Sequence, residues 1–346
     1  MSFSEEVQQV AILFYDYNIL GSRGVFKGYI YVEDGKIAEI GVGQPPEDLK
    51  RADMFYRGHN RLILPGFSSP LTHLSLYPFR VLVGRAIDFY RAWSAVRKLD
   101  ERDYASLVSV AVKSLVERGY TSIAFMDSRP LSTARILKEK ELSAIALVPV
   151  DESVDEPVDK IEEELRVPVK ECSIRGEERV FLTRIVGPSG ITLGGVVEGK
   201  ERILSWPDVK MCDRSTFYGI GHNPLFSTRS LLMTCYQTNP NIDLMGALER
   251  LTVGGESLIL KARRGWLERG EGASFIVVRL DDTAFLGLNE SELLWTLALT
   301  EYSTPKIETV VVNGVVVVDG GQQLVVEDAL IERALDVVAR LKAALL

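Results

Sequence analysis

Residues 62–85 read LILPGFSSPLTHLSLYPFRVLVGR. A continuous apolar run breaks at Pro65-Gly66 and ends in a polar patch around Thr72 and His73. Strands buried on both faces carry such runs, and α/β barrels present their working side chains at the C-terminal ends of their strands. The stretch therefore predicts a buried strand that delivers Thr72 and His73 to a pocket.

Downstream, Tyr104, Leu107, Val108, Ala111, Val112 and Leu115 recur at three- and four-residue steps. That spacing predicts an amphipathic helix over 101–118, with Asp100 as its N-cap and Gly119 as its stop. TSIAFMDS (121–128) reads as a buried strand, 131–141 as a helix and SAIALVPV (143–150) as a third strand. Strand, helix, strand, helix, strand opens a parallel α/β architecture. After Val150 the pattern changes. Residues 151–164 are acidic and polar, VFLTRIV (180–186) reads as a strand, and 190–206 reads as a hairpin. FYGIGHN (217–223) is a further strand ending in polar residues, and 239–251 is helical.

Upstream, short strands fill residues 7–42, with a hairpin turn at Asp34-Gly35. Near the other end, SFIVVRL (274–280) is a strand and ETVVVNGVVVVDG (308–320) is two strands about Asn313-Gly314. The final stretch, 327–346, is a helix with an apolar stripe of Leu330, Ile331, Ala334, Leu335, Val338, Leu341 and Leu345. That stripe suits either packing on its own subunit or an interface in a homodimer.

Composition narrows the function classes. The net charge of −8 argues against nucleic acid as a partner. No apolar run reaches the roughly 18 residues needed to cross a bilayer, and MSFSEEVQQV lacks the basic start and apolar core of a secretory signal. A cytoplasmic protein without membrane or nucleic-acid partners is expected. The 3 cysteines, Cys172, Cys212 and Cys235, are widely spaced and form neither a disulfide framework nor a thiolate zinc site.

Several of these pieces together resemble the amidohydrolase superfamily, in its cytosine deaminase, chlorohydrolase and imidazolonepropionase branch. GYIYVEDGKIAEIG resembles the start of that family's small β-sandwich, and LILPGF followed by Thr72-His73-Leu74 its first barrel strand. ERGYTSIAFMD resembles the second strand segment, and FYGIGHNPLFSTRSLLMTCY the last barrel strand with its helix. LTVGGESLIL, GWLERGEGASFIVV and VVVNGVVVVDG resemble the return to the sandwich. The resemblance implies an α/β fold: a TIM-like (β/α) barrel inserted into a composite β-sandwich made by both chain ends. It places the sandwich at 1–63 and 256–325, the barrel at 64–255 and a C-terminal helix at 326–346. The barrel is expected to be incomplete or distorted, because residues 151–216 leave no room for four further units of roughly 30 residues each.

In the family, metal is held by two histidines on strand 1, one on each of strands 5 and 6, and an aspartate on strand 8. Zinc or iron there lowers the pKa of bound water and makes hydroxide. Carried over, the first strand-1 position holds Leu71, the second His73, and the strand-8 position Asn223. The whole chain has 3 histidines, His59, His73 and His222, and none lies between 151 and 216. The expectation is therefore no metal site and no cofactor.

His73, Asp127 and His222 remain as candidate catalytic groups at strand ends, and Thr72, Arg80 and Asn223 as candidate binding groups. Each also has a structural reading. The histidines can make structural hydrogen bonds, Asp127 can cap a turn, and Arg80 can sit in a surface ion pair. Three readings stand. The first is an amidohydrolase-like protein that has lost its metal centre and serves as a binding or partner subunit. The second is a hydrolase of non-peptide carbon–nitrogen bonds with a rebuilt site. The third is a metal-dependent hydrolase whose ligands lie at other positions. A small-molecule ligand suits all three.

Overall fold

Between Pro65 and Phe67 the chain leaves one sheet and enters another. The computed structural model describes residues 10–79, 89–149, 156–177, 180–185, 266–281 and 307–346, with isolated positions between them. Within these, the single strand expected from Leu62 onward is two. β5 (Arg61–Pro65) belongs to the first sheet and β6 (Phe67–Thr72) to the second. The Gly66 N–H bonds the Ser274 carbonyl at 3.3 Å, while the next N–H, of Phe67, bonds the Gly119 carbonyl at 2.8 Å. Gly66 fits here because a Cβ would stand 2.2 Å from the Thr121 side chain.

The first sheet has nine strands drawn from both ends of the chain. β1 (Ile12–Gly21), β2 (Gly24–Glu33) and β3 (Lys36–Val42) form a meander. β1 also pairs in parallel with β4 (Met54–Arg57) along its first half and with β5 along its second. The change of partner follows a bulge at Asp16, whose φ is +66°. β5 in turn pairs with β11 (Phe275–Arg279), which leads through β12 (Ile307–Val312) and β13 (Val315–Asp319) to β14 (Gln322–Gln323). Both predicted hairpin turns are present. Asp34-Gly35 and Asn313-Gly314 all have positive φ, as a two-residue turn requires.

Both faces of the central strands are buried, which explains their unbroken apolar runs. Ile63, Phe275, Val277 and Val311 face one core together with Ile12, Phe14, Ile30 and Ile37. Leu62, Leu64, Ile276, Val278, Val310 and Val312 face the larger core beneath the second sheet. In the smaller core Phe14 packs edge-on against Phe275, with centroids 5.1 Å apart, and stacks on Tyr56 at 4.8 Å.

The second sheet runs β6, β7 (Tyr120–Phe125), β8 (Ser143–Pro149), β9 (Val169–Glu177) and β10 (Val180–Ile185). The first four are parallel, and β10 returns antiparallel to β9. This corrects the sequence reading of the segment after Val150. A fourth parallel strand follows β8 by way of a short helix there. β9 escaped notice because charges at Lys170, Glu171, Arg175 and Glu177 break up its few apolar residues; its pairing on both edges overrides its weak β-propensity. The fold is thus mixed α/β with one large sheet. Among the described residues the second sheet is open, so the expected TIM-like barrel is not seen closed.

The α-helices among the described residues include α1 (Phe89–Arg97), α2 (Glu101–Val116), α3 (Pro130–Glu139), α4 (Asp159–Glu163) and α5 (Asp328–Leu345). Asp100 caps α2 as expected, accepting the Asp103 N–H at 2.8 Å. Helix α5 lies along α2 of its own chain, with Ala334, Val337 and Leu345 buried and Leu335 turned outward. The buried Asp103 carboxylate receives Arg333 at 2.7 Å and Arg340 at 2.5 Å, which ties the two helices together. No helix among the described residues is long and apolar enough to cross a membrane.

Candidate functional site

The parallel pairing of β6 with β7 sets Thr72 beside Phe125, so both strands end at one edge of the sheet. The residues just beyond bind each other closely. The Met126 N–H reaches the Thr72 carbonyl at 2.9 Å, and Nδ1 of His73 reaches the Met126 carbonyl at 2.7 Å. A carbonyl only accepts, so Nδ1 carries the proton and the lone pair lies on Nε2. The partly buried imidazole packs edge-on to Trp93 of α1, with centroids 6.2 Å apart. Desolvation lowers the His73 pKa below its usual 6.5, against the opposing pull of the Met126 carbonyl, so the ring is neutral at physiological pH.

Asp127 is fully buried. One carboxyl oxygen accepts the Leu74 N–H at 3.1 Å, and the other accepts the Ser75 N–H at 2.9 Å and the Ser75 hydroxyl at 2.5 Å. These are the orphan donors at the start of the tight turns over 73–79, where Leu76, Tyr77 and Phe79 bond back to His73, Leu74 and Leu76. Asp127 is therefore the cap of that turn and bonds the residues next to His73. Burial lifts its pKa from 3.8 to about 7, against the lowering effect of the three donors.

Around this pair the packing is dense. Tyr104 of α2 is fully buried and shares a hydrogen bond of 2.8 Å with Thr133. Its phenol pKa is raised well above 10.0 by burial and then by the nearby Asp127 carboxyl. Arg129 lies over the Tyr104 ring at 4.8 Å and reaches Glu156 at 3.3 Å. Glu156 also accepts the Leu131 N–H at 2.7 Å and so caps α3. The Ser128 hydroxyl is buried beside Asp127 and makes no hydrogen bond among the described residues.

Of the predicted site residues, the structure brings together His73, Thr72 and Asp127. Thr72 is buried, with its carbonyl on Met126. Arg80, His222 and Asn223 lie outside the described residues. His59 is exposed in the turn before β5, where its carbonyl accepts Arg61 at 2.9 Å. Sequence reading missed Ser75 and Trp93. Ser75 could have been flagged as a hydroxyl two residues beyond His73, but Trp93 gives no signal on a helix that was itself not anticipated.

Among the described residues His73 stands beside no second ligand, and both Asp127 oxygens already accept N–H or O–H groups. Among the described residues no three His, Cys, Asp or Glu side chains are grouped so as to hold an ion.

No protein-family model matches the chain, and none of the curated proteins matches it. Solved structures do. Zinc-bound atrazine chlorohydrolase from Arthrobacter aurescens TC1 superposes with a TM-score of 0.71 at 14% identity, over 94% of this chain and 100% of that one. A zinc-bound adenosine deaminase from Xanthomonas campestris gives 0.70 at 14% identity, over 96% and 98%. An amidohydrolase from a Sargasso Sea environmental sample gives 0.65 at 15% identity, over 96% and 99%. Likeness over nearly the full length of both chains, in all three structures, means that this chain shares their fold.

Proposed function

We propose that this chain is an amidohydrolase-like protein that does not work as a metal-dependent hydrolase and serves instead as a binding or partner subunit. The observation that carries this is the donor inventory. The chain has 3 histidines, and one of them, His59, is exposed in a turn of the first sheet. At most His73 and His222 are left for a centre that the family builds from four histidines and an aspartate. Among the described residues the carboxylate beside His73 is that of Asp127, and it caps a turn. On this reading β6 to β9 are the first part of a TIM-like barrel set into a composite sandwich. The antiparallel return of β10 marks where its regular βα repeat is given up.

Elemental analysis after growth with added zinc and iron tests the proposal. Well under one equivalent of either metal is expected after dialysis. One retained equivalent that disappears in His73→Ala would overturn it.

A second reading is favoured by one observation. His73 is neutral, with its lone pair on Nε2, and a hydrolase of non-peptide carbon–nitrogen bonds needs such a proton acceptor. Activity toward amides or amino-heterocycles in metal-free protein, abolished by His73→Ala, would select it.

A further inference from the structure

We propose that Asp127 is a positioning residue: by gripping Leu74 and Ser75 it fixes the imidazole of His73 in one orientation and one tautomer. The sequence reading made Asp127 a candidate catalytic group, but the geometry gives it a different task. Met126 and Asp127 hold Thr72, His73, Leu74 and Ser75 through five hydrogen bonds in register. Met126 N–H goes to the Thr72 carbonyl at 2.9 Å and His73 Nδ1 to the Met126 carbonyl at 2.7 Å. The Asp127 carboxyl takes the Leu74 N–H at 3.1 Å, the Ser75 N–H at 2.9 Å and the Ser75 hydroxyl at 2.5 Å.

The argument is one of geometry. The Met126 carbonyl can select the Nδ1–H tautomer only if the His73 backbone stays where the ring can reach it. That backbone is the first residue of a turn, and turns of this kind need their leading N–H groups satisfied. Asp127 satisfies two of them with a single side chain, from the residue next to Met126. Ring acceptor and turn cap are therefore covalently adjacent, and the spacing between them cannot drift. Trp93 packs edge-on against the ring, with centroids 6.2 Å apart. The groups facing the Asp127 carboxyl are Leu74 and Ser75 of the turn and, through space, Tyr104 of α2.

The inference does not depend on whether the protein hydrolyses anything. It concerns how one nitrogen is presented, and it holds for a binding site as for an active site. A retained metal equivalent would overturn the preceding proposal and leave this one standing.

The test is a long-range proton–nitrogen NMR spectrum of the histidine rings in the full chain. With 3 histidines, the resonances missing in His73→Ala identify His73. The native protein is expected to show a protonated Nδ1 and an unprotonated Nε2. In Asp127→Asn one oxygen becomes an NH2 that faces a backbone donor, and His73 is expected to shift toward a mixture of tautomers. Asp103→Asn serves as the control: it loosens α5 and should leave the His73 signals in place. Unchanged His73 signals in folded Asp127→Asn would overturn the proposal. Should that variant fail to fold, Ser75→Ala decides. It removes only the hydroxyl contact, and a displaced His73 signal supports the role while an unmoved one overturns it.

Discussion

Gly66 and the side chain of Thr121 are in such close contact that any Cβ at residue 66 would lie 2.2 Å from both Cγ2 and Oγ1 of Thr121. This contact sits where the chain passes from the first sheet to the second. Gly66→Ala should therefore destabilise by about 1–3 kcal/mol, the usual cost of overpacking a tight core. Thr121→Ala in the same chain should recover part of that loss, because it removes the two nearest atoms. Urea unfolding of the two variants beside the native protein checks this, and equal midpoints for Gly66→Ala and the native protein would refute it.

Asp127 predicts a pH dependence with a definite sign. Its folded pKa, about 7, lies above the usual 3.8. The fold therefore binds a proton that the unfolded chain releases, and this stabilisation is full below pH 3.8 and lost as pH rises through 7. Protonated, the carboxyl can donate to the Ser75 oxygen while still accepting both backbone N–H groups. The loss is on the order of a few kcal/mol. The stability gap between the native protein and Asp127→Asn should thus be wider at pH 5 than at pH 8. A gap that widens toward pH 8 would contradict the assignment.

His73 works in the opposite direction. Its folded pKa is lowered below 6.5 by desolvation. It contributes stability that is present above pH 6.5 and is lost as pH falls through the folded value. A histidine titration followed by NMR should find His73 taking up its proton only below pH 6.5. A His73 midpoint at or above 6.5 would show that the ring is more solvated than its packing against Trp93 implies.

Asp103 anchors α5. Burial alone would raise its pKa, but the hydrogen bonds from Arg340 and Arg333 hold it below 3.8. Its contribution is present above pH 3.8 and is lost as pH falls through the folded value. Asp103→Asn should cost about 1–2 kcal/mol, less than a fully buried pair, because both arginines can turn back to water. Hydrogen exchange should then show faster opening of 328–345 with little change in β5 or β11. Uniform acceleration across the chain would mean that α5 is not a separable unit.

What could be read from the sequence was whatever depended on neighbours within a few residues. Asp34-Gly35 and Asn313-Gly314 announced their turns because so few residue pairs accept two positive φ values. Asp100 announced the start of α2, and the three- and four-residue apolar spacing announced its buried face. What stayed hidden depended on contacts distant in sequence. β9 carries no apolar alternation and is a strand because β8 and β10 flank it. The change of sheet at Gly66 is set by Ser274 on one side and Gly119 on the other, neither of which is local. The task of Asp127 is hidden for the same reason: its partners, Leu74 and Ser75, lie over fifty residues upstream. His73 was found, but the tautomer that decides its chemistry comes from a backbone carbonyl, which any residue in place of Met126 would supply.

The pairing of β5 with β11, which sets Pro65 opposite Phe275, constrains how the molecule is made. On the ribosome, β5 is synthesised long before its partner, and until residue 275 emerges one full edge of it has nothing to bond. Contacts between segments so far apart form slowly, because the chain between them must first be gathered in. A nascent chain of this protein therefore passes through a long interval in which an apolar strand stands open to mispairing, the kind of edge that chaperones cover.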